Sequence, residues 1–171
     1  MRTMSCLARI TAAGLLLTAS AAHAQATKAQ AAVAAALKGG GHVALGAAIA
    51  TASAAGKPIS ARYEVEDGKL QLSVFIEKDG AFSEVFVDHM TGKVARTDKI
   101  TGGDDMKEAK GESRAAAKAK STLASAVEKA LAANPGYTAV EVTSVLVGGR
   151  PVADITLMKD GQFKSASQPL G

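Results

Sequence analysis

The chain has 171 residues, of which 47% are hydrophobic and 21% charged, which is enough for one ordinary domain or two small ones. Its formal net charge is only +4, and cations and anions alternate along it, so the charge pattern does not favour nucleic acid as a partner. Aromatic residues make up 4% and tryptophan is absent, which leaves little for stacking on bases. A single cysteine excludes a disulfide framework.

Residues 1–24 have the three parts of a bacterial secretory signal peptide. Arg2 and Arg9 supply the basic region, the apolar stretch covers residues 10–22, and an A-x-A cleavage motif ends at Ala24, before Gln25. The apolar stretch of about 13 residues is shorter than the roughly 20 that a spanning helix needs. We therefore expect cleavage here and a soluble periplasmic or secreted product without a membrane anchor.

Removal of this signal changes what chemistry the chain can carry. Cys6 and two cationic residues would leave with it, so the mature chain would have no thiol, and its net charge would fall from +4 to +2. Without a disulfide, such a chain depends on its core alone. The mature sequence opens with an alanine-rich segment at 25–41, in which the stretch 28–38 is helix-forming and three glycines at 39–41 predict a break.

The rest of the chain consists of two related halves, which we assign to residues 42–100 and 113–171. VFIEKDGAF at 74–82 and ITLMKDGQF at 155–163 match at a spacing of 81. Between the halves, residues 101–112 read TGGDDMKEAKGE, a stretch rich in glycine and charge. This composition predicts a linker.

Each half is predicted to begin with one helix. In the second half a single helix is predicted over 113–133, with Ser113 as its N-cap and Asn-Pro-Gly at 134–136 as its end. In the first half the helix ends before Gly56, and these apolar residues recur at helical spacing: Leu45, Ala48, Ile49 and Ala52.

Strands follow each helix. Residues 59–66 and 69–77 alternate between apolar and polar side chains, the pattern of a half-buried antiparallel sheet. Asp-Gly pairs at 67–68, 79–80 and 160–161 suit tight hairpin turns, because glycine adopts positive φ without a steric penalty. The predicted fold class is α+β: two tandem units, each one helix packed on a three- to four-stranded antiparallel meander.

The first unit also carries a set of residues typical of one known family. They are Ala48, Gly56, Ile59, Gly68, Val74, Asp79-Gly80, EVFVD at 84–88, Thr91-Gly92 and Val94. On these residues the unit resembles a PepSY domain over residues 43–100, and residues 113–171 resemble it more weakly. In this family the sheet closes in an aspartate-x-x-threonine-glycine turn, which residues 88–92 match in the first unit. The stretch 164–171 lacks such a turn, so we expect the last strand of the second copy to be degenerate or missing.

The resemblance implies a function in binding. PepSY domains occur in the propeptides of thermolysin-like metallopeptidases and in small exported proteins, and their proposed role is to bind and restrain peptidases. It therefore implies a non-catalytic, inhibitor-like module whose partner is a protein, with the first domain as the binder. No H-E-x-x-H sequence is present, so no such peptidase domain follows in the same chain.

The pair Asp88-His89 admits a turn or a metal site. In the turn, Asp88 accepts backbone N–H groups two or three residues on, with Thr91 and Gly92 completing it. In the metal site, His89 would need further ligands, and the mature chain offers only one other histidine, His42, and no thiolate. The turn is favoured and His89 is expected to be solvated. Convergence of the two histidines with carboxylates in a sheltered cleft would overturn this interpretation.

The sequence predicts no catalytic residue, cofactor or metal ligand. No serine lies in G-x-S-x-G, and the glutamates of the strands alternate outward like solvent-face charges. Phe75, Phe82 and Phe86 are predicted to share the sheet face away from the helix. This face is either covered by segment 28–38 or the second domain, or it is a partner-binding surface. An exposed sheet edge is a second candidate surface, for strand addition.

The function predicted is that of an exported binding module that restrains or regulates a peptidase outside the cytoplasm. Two other functions remain open at this point. One is binding of a small ligand or a metal ion in a cavity between the domains, and the other is a scaffold role in the cell envelope.

Overall fold

The computed structural model describes residues 27–171. The predicted signal peptide, with Cys6 and the cleavage site between Ala24 and Gln25, lies outside this part of the chain. The helices are α1 Lys28–Leu37, α2 Leu45–Ala52, α3 Gly103–Lys118 and α4 Leu123–Ala132; the strands are β1 Lys57–Glu66, β2 Lys69–Lys78, β3 Ala81–Val87, β4 Val94–Lys99, β5 Thr138–Val147, β6 Arg150–Lys159 and β7 Gln162–Pro169.

The seven strands form one antiparallel sheet in the order β4-β3-β2-β1-β5-β6-β7. The α+β class with an antiparallel sheet is therefore confirmed. The two halves are not separate sheets, because Ser60–Arg62 of β1 pair with Glu141–Thr143 of β5. Each half contributes a meander in chain order, and the two first strands join at the centre.

The strands repeat at the spacing seen in the sequence. β5 and β6 begin and end 81 residues after β1 and β2. A bulge interrupts β1 between Pro58 and Ser60, and a bulge interrupts β5 between Ala139 and Glu141, again 81 residues later. Hairpin turns with positive φ occupy equivalent positions, among them Asp79 and Asp160, both with φ 52°. The same local geometry thus recurs wherever the sequence repeats.

The main core lies between the sheet and two helices. One side of α2 and one side of α4 are buried on the inward residues of the strands, and the two helices also contact each other. At the centre of this core Val74, Val85, Val142, Ile155 and Leu157 are fully buried. The alternation predicted from sequence places all of these side chains on one face of the sheet.

Helix α3 covers the opposite face, and here two predictions are wrong. The segment 101–112, predicted to be a linker, is helical from Gly103 onward, and the helix predicted over 113–133 is two helices. Asp104 and Asp105 lie in the first turn of α3, where acidic side chains interact favourably with the helix dipole. The chain becomes extended at Ala119, and the Thr122 side chain accepts a hydrogen bond from Ser125 N to begin α4.

Helix α1 forms within the alanine-rich segment. Thr27 and Gln30 make a reciprocal capping box at its start, and Val33 and Ala34 are buried in the main core. Among the glycines that follow, Gly40 has a positive φ, so the predicted break in the helical segment is present there. A short alanine-rich helix is marginal alone. Packing against β1 stabilises it here.

For the end of the second half, the sequence predicts a last strand that is degenerate or missing. The third strand, β7, is present and pairs with β6 along its whole length, although its alternation is weak in the sequence. Within the described part of the second half, no counterpart of β4 follows it. Instead Leu170, fully buried, accepts hydrogen bonds from Lys120 N and Ser121 N through its carbonyl. These bonds tie the end of the sheet to the α3–α4 connection.

Candidate functional site

The turn between β3 and β4 is formed by short-range backbone bonds. Asp88 Oδ1 accepts hydrogen bonds from Met90 N at 3.0 Å and Thr91 N at 2.7 Å, and these bonds lower the pKa of the carboxyl group. Gly92 has φ 73°, and its carbonyl accepts a bond from the Thr51 hydroxyl at 3.2 Å. The carboxylate of Asp88 is therefore occupied by the backbone.

His89 does not behave as a solvated turn residue. Its Nδ1 lies 3.1 Å from Nδ1 of His42, and both side chains are half-buried. Val43 N donates to the His89 carbonyl at 2.8 Å, which holds the loop before α2 against the turn. No carboxylate joins the pair: in residues 27–171 no three His, Cys, Asp or Glu side chains are grouped as a metal site. The histidines converge, but the sheltered carboxylate cluster is not found.

Strand β4 forms one edge of the sheet and is exposed along its length. Ile100 N, just beyond the strand, donates a hydrogen bond to Phe82 O of β3. In an antiparallel pair, successive N–H groups point alternately toward the neighbouring strand and away from it. By this alternation the N–H groups of Thr97 and Lys99 point away from β3. A bulge and a basic residue at Arg96 interrupt the edge nearer the turn, features that restrict uncontrolled pairing. The part of the β4 edge that is free of these features is therefore short.

The three phenylalanines predicted to form an outward face are covered. Phe75 is 4% exposed and Phe82 is 9% exposed, and both pack with Ile59 beneath the alanines of α3. Phe86 is 8% exposed and lies under the Arg96 guanidinium, 3.4 Å from the ring centroid. Phe75 and Phe82 are thus covered by α3, which combines the segment predicted to be a linker with the first residues of the predicted second domain, and not by residues 28–38. In this conformation the rings are not open to a partner.

A polar layer lies beside these rings, between α3 and the sheet. Ser60 donates to Glu112 Oε2 at 2.6 Å, and Arg62 pairs with Glu64 at 3.1 Å. Burial raises the pKa of Glu112 and also that of Glu84 on the same face. Glu112 belongs to α3 and faces the sheet, and Glu84 is half-buried, whereas the alternation predicted that the glutamates of the strands would be solvated. They are spread along the layer and converge on no nucleophile among the described residues.

A cavity of about 410 Å³ lies between the two halves. Its walls come from α2, the start of β1, the end of α3, the start of α4 and β5. Ser144 lines it, and its Oγ is buried without a hydrogen-bond partner among the described residues. Unpaired buried hydroxyl groups are rare in folded proteins. No motif in the sequence marks this serine, although the alternation with Val142 places it on the inward face.

Comparison with known protein families gives a match to the first half of the chain. The family model described as "PepSY: Peptidase propeptide and YPEB domain" matches residues 26–98, and it does not extend over the second half. No curated protein and no solved structure is significantly similar to the chain. The matched segment runs from just before α1 to the end of β4, and it contains the β3–β4 turn and the open edge. Within the described residues, no helix has the length and apolar character needed to cross a membrane.

Proposed function

We propose that this protein is an exported, non-catalytic binding module that restrains an extracytoplasmic peptidase by adding a segment of it to the β4 edge. PepSY domains are associated with peptidase propeptides and regulation, and the match covers the half that carries this edge. The observation that carries the proposal is the exposure of every residue of β4, an edge strand that pairs with β3 on one side only. Backbone groups of such an edge pair with an extended peptide.

The proposal includes the organisation of the chain. Residues 42–100 are the binding domain, and residues 113–171 are a degenerate copy that extends the sheet. The recurrence of strand bounds, bulges and turn geometry at a spacing of 81 supports a second copy. The second copy lacks a β4, and its first strand, β5, pairs with the side of β1 that faces away from β2. The edge that the first domain contributes to the sheet is therefore β4, and the edge that the second copy contributes is β7.

The test is an affinity capture followed by an inhibition assay. The purified exported protein is immobilised, extract from the periplasm or the culture medium is passed over it, and bound proteins are identified by mass spectrometry. A captured peptidase is then assayed with and without the free protein. We expect its activity to fall when the protein is added.

One pair of variants tests the edge itself. Thr97→Pro removes an outward N–H without removing a bond to β3, whereas Thr97→Ala keeps it and serves as the matched control. We expect at least tenfold weaker inhibition with Thr97→Pro and unchanged inhibition with Thr97→Ala. Equal inhibition by both variants would exclude strand addition at β4, and capture of no peptidase would exclude the function.

A second function is favoured by the cavity between the halves. Its volume lies in the range of small-molecule sites, and an unpaired Ser144 hydroxyl lines its otherwise largely apolar wall. Lys57 lies at the same cavity, with Nζ bonded to Ala116 O at 2.5 Å. This arrangement suits a short apolar ligand with a carboxylate head. Binding of octanoate, measured by calorimetry, and its loss in Ser144→Val would support this function; no binding would exclude it.

A further inference from the structure

Two histidines from distant parts of the chain meet beside the β3–β4 turn. The Nδ1 atoms of His42 and His89 are 3.1 Å apart, with ring centroids 5.1 Å apart and ring planes inclined by 47°. Two nitrogens that each lie 2.0–2.1 Å from one tetrahedral ion are about 3.3 Å apart. The two rings share a hydrogen bond across this distance, and its length is about 0.2 Å below the spacing of two such ligands. A small rotation of the rings would therefore let both nitrogens bind one ion.

Both histidines are carried on braced backbone. Val43 N, next to His42, donates to the His89 carbonyl at 2.8 Å, and the buried Tyr63 hydroxyl donates to the Val43 carbonyl. Burial raises the pKa of Tyr63 to about 12, so this hydroxyl remains a donor at neutral pH. On the other side the Asp88 turn fixes the backbone of His89. A site held in place before its ligand arrives loses less entropy on binding.

A third donor lies beside the pair. Met90 is 56% exposed, which is unusual for a large apolar side chain, and its Cε lies over Gly41, 3.8 Å from where a β-carbon would stand. Gly41 directly precedes His42, so the methyl end of the thioether lies close to the backbone that carries one of the two imidazoles. Met90 also follows His89 directly in the chain, and its exposed side chain offers a soft sulfur ligand.

The donor set selects the ion. Two imidazoles and a thioether are all neutral, and the nearest carboxylate, Asp88, is occupied by backbone N–H groups. Zinc sites in proteins use thiolate, imidazole and carboxylate ligands rather than thioethers, whereas thioethers and imidazoles both bind Cu(I). We propose that His42, His89 and Met90 form a surface site for Cu(I). This site does not depend on the function proposed above.

The experiment measures Cu(I) affinity in the purified exported protein, which contains no cysteine once the predicted signal is removed. Cu(I) is supplied under reducing, anaerobic conditions in competition with a chromophoric Cu(I) chelator. We expect one Cu(I) per chain, a rise in Tm because the ion binds only the folded state, and no comparable rise with Zn(II). Ag(I), a redox-inert ion of similar softness, should behave like Cu(I).

Three variants and one control assign the ligands. We expect His42→Gln and His89→Gln each to weaken Cu(I) binding at least a hundredfold, and Met90→Leu to weaken it about tenfold. Met158→Leu changes a methionine elsewhere in the chain and should leave the affinity unchanged. An affinity that is the same in His42→Gln as in the unchanged protein would overturn the proposal. Binding of Zn(II) as tight as that of Cu(I) would overturn the choice of ion.

Discussion

On the face that packs against α2 and α4, strands β2 and β6 of the two halves bury apolar side chains at equivalent positions, whereas on the α3 face the two strands differ. Val74 and Ile155, 81 residues apart, are both fully buried in the main core. One residue further along, Phe75 packs under α3, but its counterpart Thr156 donates a hydrogen bond to Glu141 at 3.0 Å. Along these two strands the apolar character of the repeat is thus retained on the face that fills the close-packed interior, in which volume changes are costly. On the other face the two halves are free to diverge.

The largest expected effect comes from removing Phe75, the side chain in which the two halves differ on the α3 face. Phe75→Ala should lower the free energy of unfolding by about 3–5 kcal/mol, because it opens a cavity beneath α3. Thr156→Ala, at the equivalent position, should cost only about 1 kcal/mol, the net value of its hydrogen bond. Urea unfolding followed by circular dichroism measures both. Similar losses for the two variants would show that the Phe75 ring contributes no more to packing beneath α3 than the polar side chain at the equivalent position.

A second pair of substitutions tests whether the equivalent core positions belong to one cooperative unit. Ile76→Ala and Leu157→Ala remove matched side chains from the two halves and should each cost about 2–5 kcal/mol. Because β1 and β5 join the halves in one sheet, we expect one unfolding transition that shifts in both variants. Two transitions, of which only one moves in each variant, would instead show two independently folding domains.

The buried carboxylate of the first half gives a smaller, pH-dependent effect. Desolvation raises the pKa of Glu84 above its ordinary value, partly offset by a hydrogen bond from Ser73, and the equivalent residue in the second half is Ser165. A folded-state pKa above the unfolded one means that stability falls as the pH rises between the two. Glu84→Gln should therefore raise Tm at pH 7 and have little effect below pH 4. Thermal melts across this range measure it, and a lower Tm at pH 7 would contradict the assignment.

The smallest effect concerns the turn that only the first half has. Asp88 has a lowered pKa because backbone N–H groups bond its carboxylate, and the residue 81 positions later is Pro169. Its contribution is present above the unfolded pKa and disappears as the pH falls through the folded one. Asp88→Ala should lower Tm slightly at pH 7, and the difference should vanish in strong acid. An equal difference at both pH values would mean that the carboxylate acts through something other than these bonds.

Local features of the fold could be read from the sequence. The alternation along 59–77 predicts two strands of the central sheet, and the Asp-Gly pairs predict their hairpins, because each depends on residues a few positions apart. The last strand of the second half could be predicted only as degenerate or missing, because Lys164 onward alternates weakly and pairing with β6 is what makes it extended. Helix α3 was missed because glycine and charge resemble a linker when no neighbouring surface is considered.

The candidate sites were less predictable than the elements that carry them. Asp88 could be assigned a backbone role from its neighbours alone, whereas His42 and His89 are 47 positions apart and meet only through the folding of a loop onto a turn. The unpaired hydroxyl of Ser144 has meaning only inside a cavity assembled from both halves. The covering of the phenylalanines depends on where α3 lies.

By itself the sequence determined the α+β class, the repeat of 81 residues and the turn chemistry, since periodicity and glycine conformation act over short distances. Only the tertiary structure decided that the two halves share one sheet, that α3 closes its second face, and that β4 is left as an open edge. Those outcomes depend on contacts between residues far apart in the chain, whose free energy comes from shared burial and carries no local pattern.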